Sequence, residues 1–172
     1  PLWPTLRDRQ LSDKLNTAYA EEGRALYESF MNKTNDTPKS MTQTYAEKVN
    51  NEQLLVLERR QDISSADTAT KLRYTTIDKQ NGLVVTLPML FKANAYQAIL
   101  KNYVNEQIAA SKQYDIPVAA IGPKQTFYIN NKGELVLVFQ RGEIAPMYVG
   151  AVAMTIPTDE IDSQLISHAY VK

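Results

Sequence analysis

The chain of 172 residues has no cysteine, one histidine, one tryptophan and six glycines. Without cysteine there are no disulfides, thiolate metal sites or cysteine nucleophiles, and the redox compartment is left open. His168, the sole imidazole, lies near the C-terminus without a companion in the sequence, so Ser-His-Asp, Cys-His and multi-histidine metal arrangements are not expected. The scattered glycines provide no phosphate-cradling loop. Nineteen basic residues balance nineteen acidic ones, which removes the positive field of a nucleic-acid binder. No run approaches the roughly 18 apolar residues of a membrane span, and nothing reads as a signal peptide. The chain begins at Pro1 rather than Met, so an upstream segment removed from this sequence is expected.

What is present suits one domain with a substantial core, since 44% of residues are hydrophobic. The expected fold class is α+β over residues 1–172: a largely antiparallel sheet of hairpins, with two long helices and a short C-terminal helix packed on it. A helix-strand part spans about 1–90 and a helix-hairpin module about 91–172. Ser12 reads as the N-cap of a helix from about Asp13 to Met31, with Leu15, Tyr19, Leu26 and Phe30 near helical spacing. "NKTNDTP" ends it. "SMTQTYAEKV" and "EQLLVLERRQ" read as a hairpin, followed by the strand "TKLRYTTID" and, across Asn81-Gly82, the strand "LVVTL".

Pro88 stops that strand, and "PMLF" reads as one helical turn. Asn94 is placed to cap a second long helix carrying Tyr96, Leu100, Tyr103, Val104 and Ile108 on the face that meets the sheet. "DIPVAAIGPK" is a connector. "QTFYIN", the turn "NKG" and "ELVLVFQ" form the third hairpin, with Phe127, Ile129, Leu135 and Leu137 as candidate core residues. "GAVAMTIP" is a further strand, and a helix begins near Pro157 or Thr158, its first turn holding Asp159 and Glu160 where the dipole favours acids.

Catalytic chemistry finds little support. A glycosidase-like carboxylate pair could draw on Glu134, Glu143, Asp159, Glu160 and Asp162, but no spacing singles out two of them. "DKQNG" lacks the alternating oxygen ligands and terminal glutamate of a calcium loop. No catalytic residue, metal or cofactor is expected. The unusual stretch is "QRGEIAPMYVG", longer and chemically richer than a turn between two strands requires. In one reading it is a kinked edge presenting Arg141, Glu143, Pro146 and Tyr148 to a partner: proline removes a ladder donor, the glycines free the backbone and tyrosine is a rigid anchor. In the other it only turns a corner, with Ile144 and Tyr148 in the core and Arg141 paired to Glu143.

Two segments carry a family resemblance. "TIDKQNGLVVTLPMLFKANAYQAILKNYVNEQI" resembles a pattern of Asp-x-x-x-Gly at a strand end, a Leu-x-x-Leu-Phe turn and a helix. "TFYINNKGELVLVFQRGEIAPMYVGAVAMTIPTDEI" is similar to the same family's terminal module, with its Glu-Ile-Ala-Pro stretch, and "LSDKLNTAY" resembles its opening helix. The family is the extracytoplasmic domain shared by anti-sigma-V factors and the N-terminal half of a peptidoglycan deacetylase, DUF3298 with a DUF4163-like N-terminal part. One departure is "DISSADTATK", residues 62–71, where the family commonly has a Gly-Gly-Ala-His-Gly-like loop.

The resemblance implies a non-catalytic binding module at the bacterial cell envelope, tethered to the membrane through the removed N-terminal segment. In the anti-sigma factors, lysozyme binding triggers proteolysis that frees a sigma factor; lysozyme is therefore the implied partner. Residues 115–172 carry six acids against four bases, so affinity for a basic lysozyme should depend only modestly on salt. The alternatives are a glycan-binding or deacetylase-accessory domain of the cell wall, and an exported protein of the same fold with another ligand.

Overall fold

A computed structural model of the chain describes residues 9–32, 40–64 and 68–172. It is an α+β fold in which the strands divide into two antiparallel sheets. Helix α1 (Arg9–Met31) precedes a four-stranded sheet of β1 (Ser40–Asn50), β2 (Leu54–Ser64), β3 (Thr68–Asp78) and β4 (Leu83–Val85), paired in chain order. Ser12 lies inside α1 rather than at its N-cap, because Arg9, Gln10 and Leu11 already form helix. The segment 62–71 is also mostly strand rather than loop: Asp62 pairs with Thr70 and Ser64 with Thr68. Only 65–67 of it lie outside the described residues, as do 33–38 of the expected helix-ending interruption.

Strand alternation gives this sheet two working faces. Leu55, Leu57 and Ile77 look toward α1 and form a small core with Leu11 and Leu15. Tyr19, the buried residue of α1, donates from its hydroxyl to Thr75 Oγ1 at 2.8 Å and lies beneath the Arg59 guanidinium at 4.4 Å. Glu22 accepts hydrogen bonds from both Arg59 and Arg73. Leu54, Val56 and Val85 point the other way, into the main core. A register shift between Glu47 and Val49 sets Val49 opposite Val56 instead of Leu55. One extra residue therefore moves Val49 onto the main-core face, since a single-residue slip exchanges the faces of a strand.

The second half begins with a 3-10 turn at Leu87–Leu90, as Pro88 leads one to expect. Helix α2 (Tyr96–Ala110) follows; its N-cap is Ala95, without a side-chain cap, and Asn94 contributes only its carbonyl to the Gln97 N–H at 3.1 Å. Tyr96, Leu100, Val104 and Ile108 are buried at i, i+4 spacing. A three-stranded sheet of β5 (Phe127–Ile129), β6 (Leu135–Phe139) and β7 (Val152–Ile156) is paired in that order, and α3 (Thr158–Ile161) is short. All five β6 side chains are buried. Ile129, Leu135, Leu137, Phe139 and Ile156 join α2 and the first sheet in one hydrophobic cluster, with Phe127 and Tyr103 partly buried against it.

The ends of the two halves are tied by Asp78. Its carboxylate accepts from the Gln80 and Asn81 backbone N–H groups at 2.8 and 2.9 Å, from Asn81 Nδ2 at 2.7 Å, and from the Tyr170 hydroxyl at 2.7 Å. Gly82 then closes the turn at φ 64°, a left-handed angle that glycine adopts without steric cost.

Candidate functional site

Strand β6 ends at Phe139, and the chain leaves the sheet at Gln140. Pairing lapses here for local reasons: Gly142 has φ 81° and Gly150 φ 83°, while Pro146 has no N–H to donate. The segment 140–150 is thus a knuckle off the sheet's end, not a kinked strand. Its base is anchored by Ile144 and Ala145, both buried. The Ile144 carbonyl accepts from the Asp115 and Ile116 N–H groups at 3.1 and 3.2 Å, which fastens the connector after α2 to the knuckle.

Internal hydrogen bonds set the rest of its shape. The Gln140 N–H donates to Glu143 Oε2 at 2.7 Å and the Glu143 N–H to the Gln140 carbonyl at 3.0 Å. Pro146 precedes a 3-10 turn at Met147–Val149, closed by Val149 N–H to the Pro146 carbonyl at 2.9 Å. Arg141 Nε donates to the Met147 carbonyl at 2.7 Å, bracing the turn from the other limb. The crest is therefore ordered by the protein itself before any partner arrives, which lowers the entropy cost of binding.

Of the four residues singled out from the sequence, Tyr148 is 85% exposed and Glu143 is exposed, whereas Arg141 and Pro146 are half-buried. The expectation that Tyr148 fills the core in a simple corner fails, because the 3-10 turn points it outward; Ile144 alone takes that place. The Arg141 bond to Met147 brings these two limbs together, and the Glu143 carboxylate is engaged at the base by Gln140. Sequence reading missed Met147, 62% exposed beside Tyr148, and Ile116, 40% exposed on the segment bonded to Ile144. An exposed methionine within an apolar run looks like core, so no local signal marked it.

Of the other polar side chains singled out from the sequence, exposed His168 lies 3.2 Å from exposed Asp162, and Glu134 accepts from Asn130 Nδ2 at 2.7 Å. Among the described residues, no group of three His, Asp or Glu side chains is placed to hold a metal ion. The Tyr74 phenol has its pKa raised by burial, reinforced by its bond to Glu58, and stacks on Tyr128 with centroids 4.8 Å apart. No described helix is long and apolar enough to cross a membrane.

Comparison with known proteins agrees with this architecture. Residues 89–159 match the family described as "Protein of unknown function (DUF3298)". The whole chain is 30% identical to the anti-sigma-V factor RsiV of Bacillus subtilis strain 168 and spans 66% of that protein's length. A DUF3298 family member from Bacteroides fragilis superposes with TM-score 0.64 over 93% of this chain and 65% of its own, at 19% identity. Another from Pseudomonas aeruginosa gives 0.58 over 87% and 72%, at 13% identity. These two likenesses concern the fold alone.

Proposed function

We propose, since residues 89–159 match the DUF3298 family and the whole chain is similar to an anti-sigma-V factor, that it is a non-catalytic extracytoplasmic sensor whose knuckle docks lysozyme. Docking would trigger regulated proteolysis of a membrane-tethered protein and release an extracytoplasmic-function sigma factor. The single observation that carries the reading is Tyr148, 85% exposed on a pre-ordered turn beside exposed Met147. A large aromatic displayed on a hydrogen-bonded turn is already placed to enter a partner's pocket, and aromatic anchors of this kind dominate binding energy at protein interfaces. Arg141, Glu143 and Pro146 shape or flank the same surface.

Calorimetric titration with lysozyme tests this. The unmodified chain should give saturable heat with modest salt dependence, and Tyr148→Ala should weaken binding by about 30-fold, corresponding to a hot-spot loss of about 2 kcal/mol. Because Tyr148 is exposed, its thermal midpoint should not move. Absence of heat from the unmodified chain would remove lysozyme as ligand; equal binding by both proteins would remove the knuckle from the interface.

A further inference from the structure

A second concave surface lies at the other end of β6. The turns after β1, β3 and β5 meet the C-terminal residues around a cleft of about 450 Å³, within the range of about 300–1,000 Å³ common to small-ligand sites. β6 separates it from the knuckle by about 17 Å, the length of a five-residue strand. Five of the eleven residues lining it are amides, Asn51, Gln53, Gln80, Asn130 and Asn131, and its aromatic residue is Tyr170.

Its framework is held in place by the protein's own bonds. Asn51 Oδ1 accepts from the backbone N–H groups of Gln53 and Leu54, and Asn130 Oδ1 from those of Lys132 and Glu134. The Lys79 N–H donates to the Gln53 carbonyl at 2.8 Å and the Lys172 N–H to the Gly133 carbonyl at 3.0 Å. The Tyr170 hydroxyl is committed to buried Asp78, which fixes the ring at the cleft. Within that frame the side-chain amides of half-buried Gln53 and of exposed Gln80 and Asn131 have no protein hydrogen-bond partner among the described residues, which leaves them open to water or a ligand.

We infer that this cleft binds a neutral oligosaccharide, at a site separate from the knuckle. Each amide offers donors and an acceptor on one rigid plane, which matches a sugar hydroxyl, itself donor and acceptor. An aromatic ring offers a face for the sugar's C–H groups. Opposed charges at the rim, Glu52 against Lys132 and Lys172, give the cleft no strong preference for an ionic ligand.

The test is an NMR titration of the isotope-labelled chain with chitotetraose, cellotetraose and, as anionic control, a hyaluronan tetrasaccharide. A neutral probe should shift the side-chain amide signals of Gln53, Gln80 and Asn131 saturably. The Gln53→Ala/Asn131→Ala double variant should bind it at least about tenfold more weakly, through loss of two sets of hydrogen bonds, with an unchanged thermal midpoint. Tyr148→Ala should bind it normally, which separates this site from lysozyme docking. Failure of both neutral probes into the millimolar range, binding of the anionic probe alone, or shifts confined to residues 140–150 would each overturn the assignment.

Discussion

At the scale of single residues, the knuckle depends on backbone angles that side chains resist. Gly150 sits at φ 83°, ψ −157°, a region occupied almost only by glycine and costing about 1–3 kcal/mol for other residues. A Cβ there would meet no atom within 4 Å, so backbone conformation rather than collision sets the penalty. Gly150→Ala should therefore destabilise the fold by about 1–3 kcal/mol, or let the 3-10 turn relax and weaken docking instead. Paired urea unfolding and lysozyme titration would register one loss or the other, and no change in either would show that the turn tolerates the side chain. The sequence reading named Gly150 for its freedom. It could not say which direction Tyr148 would take, because tyrosine suits both a core and a crest, and only the turn geometry decides.

At the scale of elements, Gln140 does work usually left to a strand. β4 pairs with β3 only from Thr76 to Asp78, so the preceding part of β3, paired with β2 on one side, has no strand on its other edge. There the Leu72 N–H donates to Gln140 Oε1 at 2.9 Å, and Gln140 Nε2 donates to the Leu72 carbonyl at 2.7 Å. One side-chain amide thus imitates a paired residue on an exposed edge and fixes the root of the knuckle to the first sheet. Gln140→Ala should cost about 1–2 kcal/mol and speed hydrogen exchange at the Leu72 amide by about tenfold or more; an unaltered Leu72 rate would show that the clamp is incidental. Sequence gave no warning of this contact, since its partners are 68 positions apart. Local signals fared better. The Asn81-Gly82 turn, the Pro88 stop and the four-residue spacing in α2 were all legible, because each expresses a constraint within a few residues. The 62–71 segment misled through Ser64, Thr68 and Thr70, which suit loops as readily as they suit the paired strands they lie in.

At the scale of the whole molecule, the two halves share a core and also a titrating latch, and the latch makes a pH prediction. Burial alone would raise the Asp78 pKa; hydrogen bonds from Asn81, Tyr170 and the Gln80 backbone outweigh it and hold the carboxyl below its usual range. A depressed carboxyl stabilises the fold fully above its unfolded value, about 4, and loses that contribution as pH falls through the lower folded value. Tyr170 behaves in the opposite sense: burial, then its bond to Asp78 and that residue's charge, push the phenol up to about 12. Its contribution is present below the unfolded value, about 10, and is lost as pH rises toward the folded one. Stability should therefore be level between these limits and fall at both ends. Tyr170→Phe should lower the plateau by about 1.5–3 kcal/mol, the worth of a hydrogen bond to a charged group, and shrink the alkaline limb to the share of the other raised phenols, Tyr19, Tyr74 and Tyr103; Asp78→Asn should shrink the acid limb to the share of Asp62. Urea midpoints measured across the pH range would decide it. An alkaline limb that persists unchanged in Tyr170→Phe would place the titrating group elsewhere and leave the apolar cluster as the main tie between the sheets.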